Sequence, residues 1–155
     1  MKEELHRNGI HEATFEEIEQ LKGFDECVES YKTFCTNPDI APEVCSNYDW
    51  YRRNPSNLHC FVVTHDDRCV GFCSLLFSYY PHLNVNFAVT ESLFIQQGYR
   101  GKYWNLLLQK LKGFAKRYNC AGIMIGAGAN SRFEKYMKMK YPAVNTLFWV
   151  KADDE

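Results

Sequence analysis

The sequence predicts an α/β chain built on one mixed β-sheet with helices on its faces. Three observations predict it. Near residue 58 the hydrophobic period changes from helical to alternating. A long amphipathic helix over 101–118 separates two apolar, strand-like runs at 84–95 and 120–127. A helix joining two such strands is a βαβ crossover, so these strands are expected to be parallel, with a right-handed connection. At 155 residues, 46% apolar and 15% aromatic, the chain suits one domain over 1–155 around one core.

The elements follow in order. Residues 4–10 read as a short first strand. Thr14 followed three residues later by Glu17 fits a capping box, opening a helix to about Leu21. Gly23 interrupts it, and 24–34 continues as helix. Asn37 and Pro38 break the pattern, and 42–53 is a further short helix with Pro42 near its first turn. Residues 58–65 alternate and are rich in Phe and Val, which suits a strand. Asp66 and Asp67 make a hairpin turn into a strand over 69–79. A loop at 81–84 leads to the long strand, where Val85, Phe87, Val89, Leu93 and Ile95 share one parity. On the 101–118 helix, Trp104, Leu107, Leu108, Leu111, Phe114, Ala115 and Tyr118 form one stripe. After the 120–127 strand, Asn130 or Ser131 caps a helix to about Met139, and 145–151 is a last strand.

No apolar run is long enough to span a membrane, and the first residues lack the apolar core of a secretory signal. Seven cysteines, an odd number, sit mostly in apolar segments. They are expected to be reduced thiols acting as small hydrophobes, which implies a cytoplasmic setting. Net charge is −1 but unevenly placed: residues 1–67 hold fourteen acids and six bases, whereas 96–140 hold ten bases and one acid, Glu134. Such a field suits a polyanionic ligand near the second region, or is simply a solvated basic helix face.

The most informative stretch runs from Glu91 to Leu108. It reads as strand, tight turn and basic helix, with Gly98 and Gly101 flanking Arg100. A helix opening after a Gly-containing turn presents unpaired N–H groups, and its dipole favours an anion there. This stretch resembles the cofactor-binding segment of the GNAT acyltransferase superfamily. Leu93, Phe94 and Ile95 stand where that family ends its strand with an apolar triplet. The run Arg100, Gly101, Lys102, Tyr103, Trp104 and Asn105 stands at its Arg/Gln-x-x-Gly-x-Gly/Ala motif. Residues 131–135 and 145–150 are similar to small GNAT proteins of tailed bacteriophages. The resemblance implies a GNAT fold that binds acetyl-CoA through these nine residues and Asn130, and transfers acetyl to a primary amine of a protein or small molecule. The host cytoplasm is the expected location if the chain is phage-encoded. Tyr103 and Asn105 depart from the motif by replacing its two small residues. The tyrosine would crowd the phosphates, or swing away and stack beside the adenine or pantetheine.

Three tasks follow from that chemistry. An N–H beside the triplet is the candidate donor for the thioester oxygen. Glu91, which interrupts the apolar parity of its strand, is the candidate base; a bulge that turns it to solvent is the alternative. Tyr136 is the candidate acid, and a core or rim position is its bland role. Asn130 either contacts pantetheine or serves the helix cap. Cys69 and Cys73 are expected to share a face of their strand, and His59, Cys60 and His65 lie on the neighbouring strand, but a zinc site would want four convergent ligands. No metal is expected. A homodimer is compatible with the sequence. The competing function is a catalytically inactive GNAT-fold protein that binds a partner, such as a phage protein engaging a host factor. Nucleic-acid binding is disfavoured because most aromatics near the basic residues fall on the buried helix stripe.

Overall fold

A computed structural model describes residues 3–35 and 47–144. The strands are β1 (Gly9–Ala13), β2 (Leu58–His65), β3 (Arg68–Tyr80), β4 (Val85–Ile95) and β5 (Gly122–Met124). The helices are α1 (Phe15–Glu19), α2 (Phe24–Cys35), α3 (Tyr48–Arg53), α4 (Arg100–Arg117) and α5 (Arg132–Lys140). The sheet order is β1-β2-β3-β4-β5, antiparallel except for the parallel pair β4–β5. The crossover through α4 thus has the expected parallel partners. The expected last strand at 145–151, and the start of the 42–53 helix, lie outside the described residues.

Local chemistry explains most boundaries. Thr14 accepts from the Glu17 amide while Glu17 Oε2 accepts from the Thr14 amide at 2.9 Å, a complete capping box. Asp66 and Asp67 both take left-handed backbone (φ 48° and 59°), the conformation a two-residue hairpin needs. Two boundaries differ from expectation. The first strand begins at Gly9, because Glu3–His6 forms a 3₁₀ turn. The strand after the crossover is only three residues long.

The sheet buries both faces. On one, α4 lays Tyr103, Leu107, Leu111 and Phe114 against Phe61, Val63, Cys73, Leu75, Ala88 and Ile95. On the other, α1 and α2 cover Leu58, Cys60, Val62 and Cys69 with Ile18, Phe24, Cys27 and Val28. Two bulges change which side chains meet which face. Between β2 and β3, Val63 pairs with Gly71 and Thr64 with Cys69, so Val70 is the extra residue. Cys69 and Cys73, expected on one face, therefore lie on opposite faces. Between β3 and β4, Ser74 pairs with Ser92 and Leu75 with Thr90, so Glu91 is the extra residue. The parity expected through 85–95 is broken there. Ala88 faces α4 before the bulge, whereas Leu93 and Ile95 face it afterwards.

Candidate functional site at the α4 start and the β4 bulge

β4 pairs with β5 only over Phe87, Ala88 and Val89. Just past that ladder, Thr90 Oγ1 donates to the Met124 carbonyl at 3.4 Å and accepts from the Gly126 amide at 3.2 Å. Glu91 then bulges, and β4 continues alongside β3 to Ile95. The Gln96 amide donates to Val70, so alternation turns the backbone groups of Leu93 and Ile95 to the opposite edge. Ile95 confirms this direction, because its carbonyl accepts from Arg100 Nε at 2.8 Å. The Leu93 amide consequently faces the side on which β5 has stopped pairing.

α4 begins at that same place. A 3₁₀ turn, Gln97–Tyr99, feeds it. Its N-cap residue Tyr99 makes no side-chain cap, and its first turn contains no acid. The other helices with assigned caps, α1, α3 and α5, are closed by Thr14, Asn47 and Ser131. A Cβ built on Gly98 or Gly101 meets nothing within 4 Å, so the outer side of the first turn is open. Arg100 and Lys102 add positive charge to the helix dipole there. A diphosphate fits this position: a helix start without a side-chain cap, space beside Gly98 and Gly101, and two basic residues in the first turn.

Tyr103 does not block it. Its side chain is 2% exposed, in the core under the sheet, with its hydroxyl 2.7 Å from His65 Nδ1. The ring neither crowds the helix start nor stands beside it, contrary to both expectations for this position. The remaining motif residues divide by role. The Arg100 guanidinium is turned back over the rings of Phe34 and Phe94, 5.7 Å from each, as well as onto Ile95. Lys102 Nζ lies 3.3 Å from His65 Nδ1. Asn105 is exposed. Leu93 is half-buried, and Phe94 and Ile95 are buried, Phe94 on the α2 face with Phe72. Trp104 meets Phe133 and Tyr136 edge-on, at 5.2 and 6.4 Å between ring centres.

The candidate acid and base have different settings. Tyr136 is half-buried on α5 against Trp104. Glu91 is exposed, because it is the bulged residue of β4 and turns to solvent, the arrangement expected as the alternative for this position. Its Oε1 accepts a 2.7 Å hydrogen bond from the Tyr51 hydroxyl of α3. Burial, then the Glu91 bond, pushes the Tyr51 hydroxyl far above its ordinary range, so it stays a donor. Tyr51 has no local sequence signal; its partner is forty residues away. Beside this pair lies a small cleft of about 40 Å³, bordered by Tyr51, Phe72, Ser74 and Ser92. The Ser92 hydroxyl donates to Ser74 Oγ at 2.9 Å. Burial lifts the Cys60 thiol to about 11 and Cys73 above its ordinary range, so neither is a nucleophile at neutral pH. Asn130 takes left-handed backbone (φ 63°) and its amide donates to Glu134 Oε2 at 2.6 Å, while Ser131 is the actual N-cap of α5.

No helix among the described residues is long and apolar enough to cross a membrane. Comparison with curated protein sequences gives no match. Solved structures are similar in fold across nearly the whole chain. A ribosomal-protein-alanine N-acetyltransferase from Brucella melitensis biovar Abortus 2308 superposes with a TM-score of 0.65 at 14% identity, covering 92% of this chain and 97% of that one. An aminoglycoside acetyltransferase from an uncultured soil metagenomic sample, solved with trehalose, gives 0.68 at 11% identity over 94% and 95%. A transcriptional regulator from Bacillus halodurans C-125 gives 0.64 at 16% identity over 94% and 99%. At these identities the likeness speaks for architecture. The sequence profile of the Acetyltransferase (GNAT) family matches residues 24–137, from the start of α2 into α5 and across the whole candidate site. The chain belongs to the GNAT acetyltransferase family.

Proposed function

We propose that the protein is an acetyl-CoA-dependent N-acetyltransferase acting on a primary amine of a protein or small molecule. The observation that carries this reading is the uncapped, glycine-bearing start of α4 beside the point where β4 and β5 stop pairing. Outward amides of the first turn hold the diphosphate, with Arg100 and Lys102 supplying charge. The Leu93, Phe94 and Ile95 segment forms one wall for the pantetheine arm. Acetyl-CoA, when bound, supplies an activated acetyl group as a thioester open to direct attack by an amine. The Leu93 amide faces the gap and donates to the thioester oxygen as it gains negative charge. Glu91 accepts a proton from the incoming ammonium at the carboxylate oxygen not held by Tyr51. Tyr136 donates its hydroxyl proton to the departing thiolate, which leaves as the CoA thiol. Asn130 precedes the cap of α5, where its backbone N–H is engaged by Glu134 and its side chain is the part offered to pantetheine.

Calorimetric titration with CoA and acetyl-CoA, paired with turnover of an amine panel, tests this reading. The native chain is expected to bind both ligands, and Arg100→Glu to abolish binding. Glu91→Gln is expected to keep CoA affinity and lower turnover by about 100-fold or more. Unchanged turnover would remove Glu91 from the mechanism. A folded chain that takes up neither ligand would be a family member without the cofactor, serving as a binding protein.

A further inference from the structure

We infer that the indole N–H of Trp104 is a hydrogen-bond donor for an amide carbonyl of the pantetheine arm. The inference rests on the cofactor reading above and assigns a side chain to a part of the ligand that the helix start does not reach.

Trp104 Nε1 is buried and has no hydrogen-bond partner. Most buried polar groups in folded proteins are paired, because an unpaired buried donor forfeits its hydration without a replacement. Only one other side-chain atom among the described residues shares this condition, His59 Nε2. That imidazole lies on β2 among Phe77, Phe114 and Tyr118, beside the C-terminal half of α4. Trp104 lies near the other end of the helix, within the motif region.

Packing alone does not call for an indole at 104. The ring meets Phe133 edge-on at 5.2 Å and 88°, and Tyr136 at 6.4 Å and 81°, contacts a phenyl ring would make as well. It also packs on the core shared with Leu93 of β4 and Ile123 of β5, the two strands bordering the gap. The nitrogen is therefore the part of the side chain that folding leaves unexplained.

Position and polarity choose the partner. Trp104 is three residues beyond Gly101, about 4.5 Å further along the helix axis. The cations Arg100 and Lys102 stand at the helix start, whereas the neighbours of Trp104 are Phe133, Tyr136 and the apolar core. A phosphate oxygen brought there would be desolvated without a counter-charge. A neutral amide carbonyl suits a neutral N–H in apolar surroundings, and the pantetheine arm carries two of them next to the diphosphate. A bridging water fits less well, because it needs two to four polar partners and the ring neighbours offer the Tyr136 hydroxyl alone.

Nitrogen–proton correlation spectra of the full chain test the inference. The three tryptophans, Trp50, Trp104 and Trp149, give three indole signals, and Trp104→Phe removes one. The probes are CoA, pantetheine, and adenosine 3′,5′-bisphosphate, which lacks the arm. The Trp104 indole proton is expected to move downfield with CoA and pantetheine and to stay in place with the bisphosphate. Trp104→Phe is expected to weaken CoA about tenfold and to leave bisphosphate affinity unchanged. If Trp104→Phe fails to fold, the shifts of the native spectrum, assigned through the backbone, decide. A Trp104 signal that ignores CoA in a chain that binds it overturns the inference while the cofactor reading stands. So does one that moves with the bisphosphate. A native chain that binds none of the three probes overturns both.

Discussion

Tyr103 shows how one side chain decides whether a motif departure matters. The family pattern has a small residue here, and a ring on the outer side of the helix would meet the diphosphate. The ring instead points to the sheet, fully buried, with its hydroxyl on His65. In this chain the space beside the helix start is provided by Gly98 and Gly101, whose missing Cβ atoms face nothing. Tyr103→Gly is therefore expected to leave CoA affinity no tighter and to destabilise the fold by about 3–5 kcal/mol, as a large aromatic deletion in a core does. Tyr103→Phe removes only the hydroxyl and is expected to cost about 1 kcal/mol. Chemical denaturation and CoA titration of the two variants check this; tighter binding by Tyr103→Gly would mean that the ring does crowd the ligand. Tyr51 and Glu91 make the complementary point. Glu91 stands out locally as a break in its strand's parity and Tyr51 does not, yet only the bulge in β4 and the placement of α3 bring their oxygens to 2.7 Å.

At the scale of elements, α4 combines a stable body with a reactive end. Its buried stripe anchors it to the sheet, while its first turn is left uncapped and open. Gly101→Ala separates these two properties. The added methyl meets no protein atom and improves helix propensity, so stability is expected to rise by about 0.5–1 kcal/mol. The same methyl occupies the space beside the unpaired amides, so CoA affinity is expected to fall about tenfold or more. Thermal unfolding and calorimetry on one variant measure both; unchanged affinity would move the phosphate site away from this turn. These elements also show what a sequence can disclose. α4, the hairpin at Asp66 and the Thr14 capping box obey local rules, and all three were legible. The bulges were not, because one extra residue at Val70 or Glu91 alters facing without altering composition. Carrying the period-2 pattern across Glu91 assigned Leu93 and Ile95 to the face of Val85, Phe87 and Val89, whereas the bulge puts them on the α4 face with Ala88. The location of the candidate site was legible from the turn glycines and Arg100. Its inner arrangement, with Tyr103 turned inward and Glu91 held by Tyr51, depends on contacts distant in sequence.

Across the whole molecule the two faces of the sheet differ in what acid would do to them. The α4 face encloses His59, whose ring lies 4.8 Å from those of Phe77 and Phe114 and 5.3 Å from that of Tyr118. Burial holds this imidazole below its usual 6.5; Glu12 opposes that shift and Arg117 adds to it. Glu12 and Arg117 are themselves paired at 2.5 Å, which ties β1 to the end of α4 above the same cluster. The unfolded chain therefore takes up the His59 proton at a higher pH than the folded one. Its contribution to stability is fully present above about 6.5 and is lost as pH falls through the lowered folded value. His59→Phe keeps an aromatic ring among three others and removes the titrating group. Thermal unfolding of both chains from about pH 8 to about pH 5 is expected to show a steeper acid-side fall in the native chain. Parallel curves would mean that protonated His59 is accommodated among the rings, and the acid sensitivity of the fold would then lie in its carboxylates. Charging His59 loads the seam between β2 and α4, far along the helix from Arg100. CoA affinity is accordingly expected to hold through the upper part of that range, while the midpoint temperature already declines.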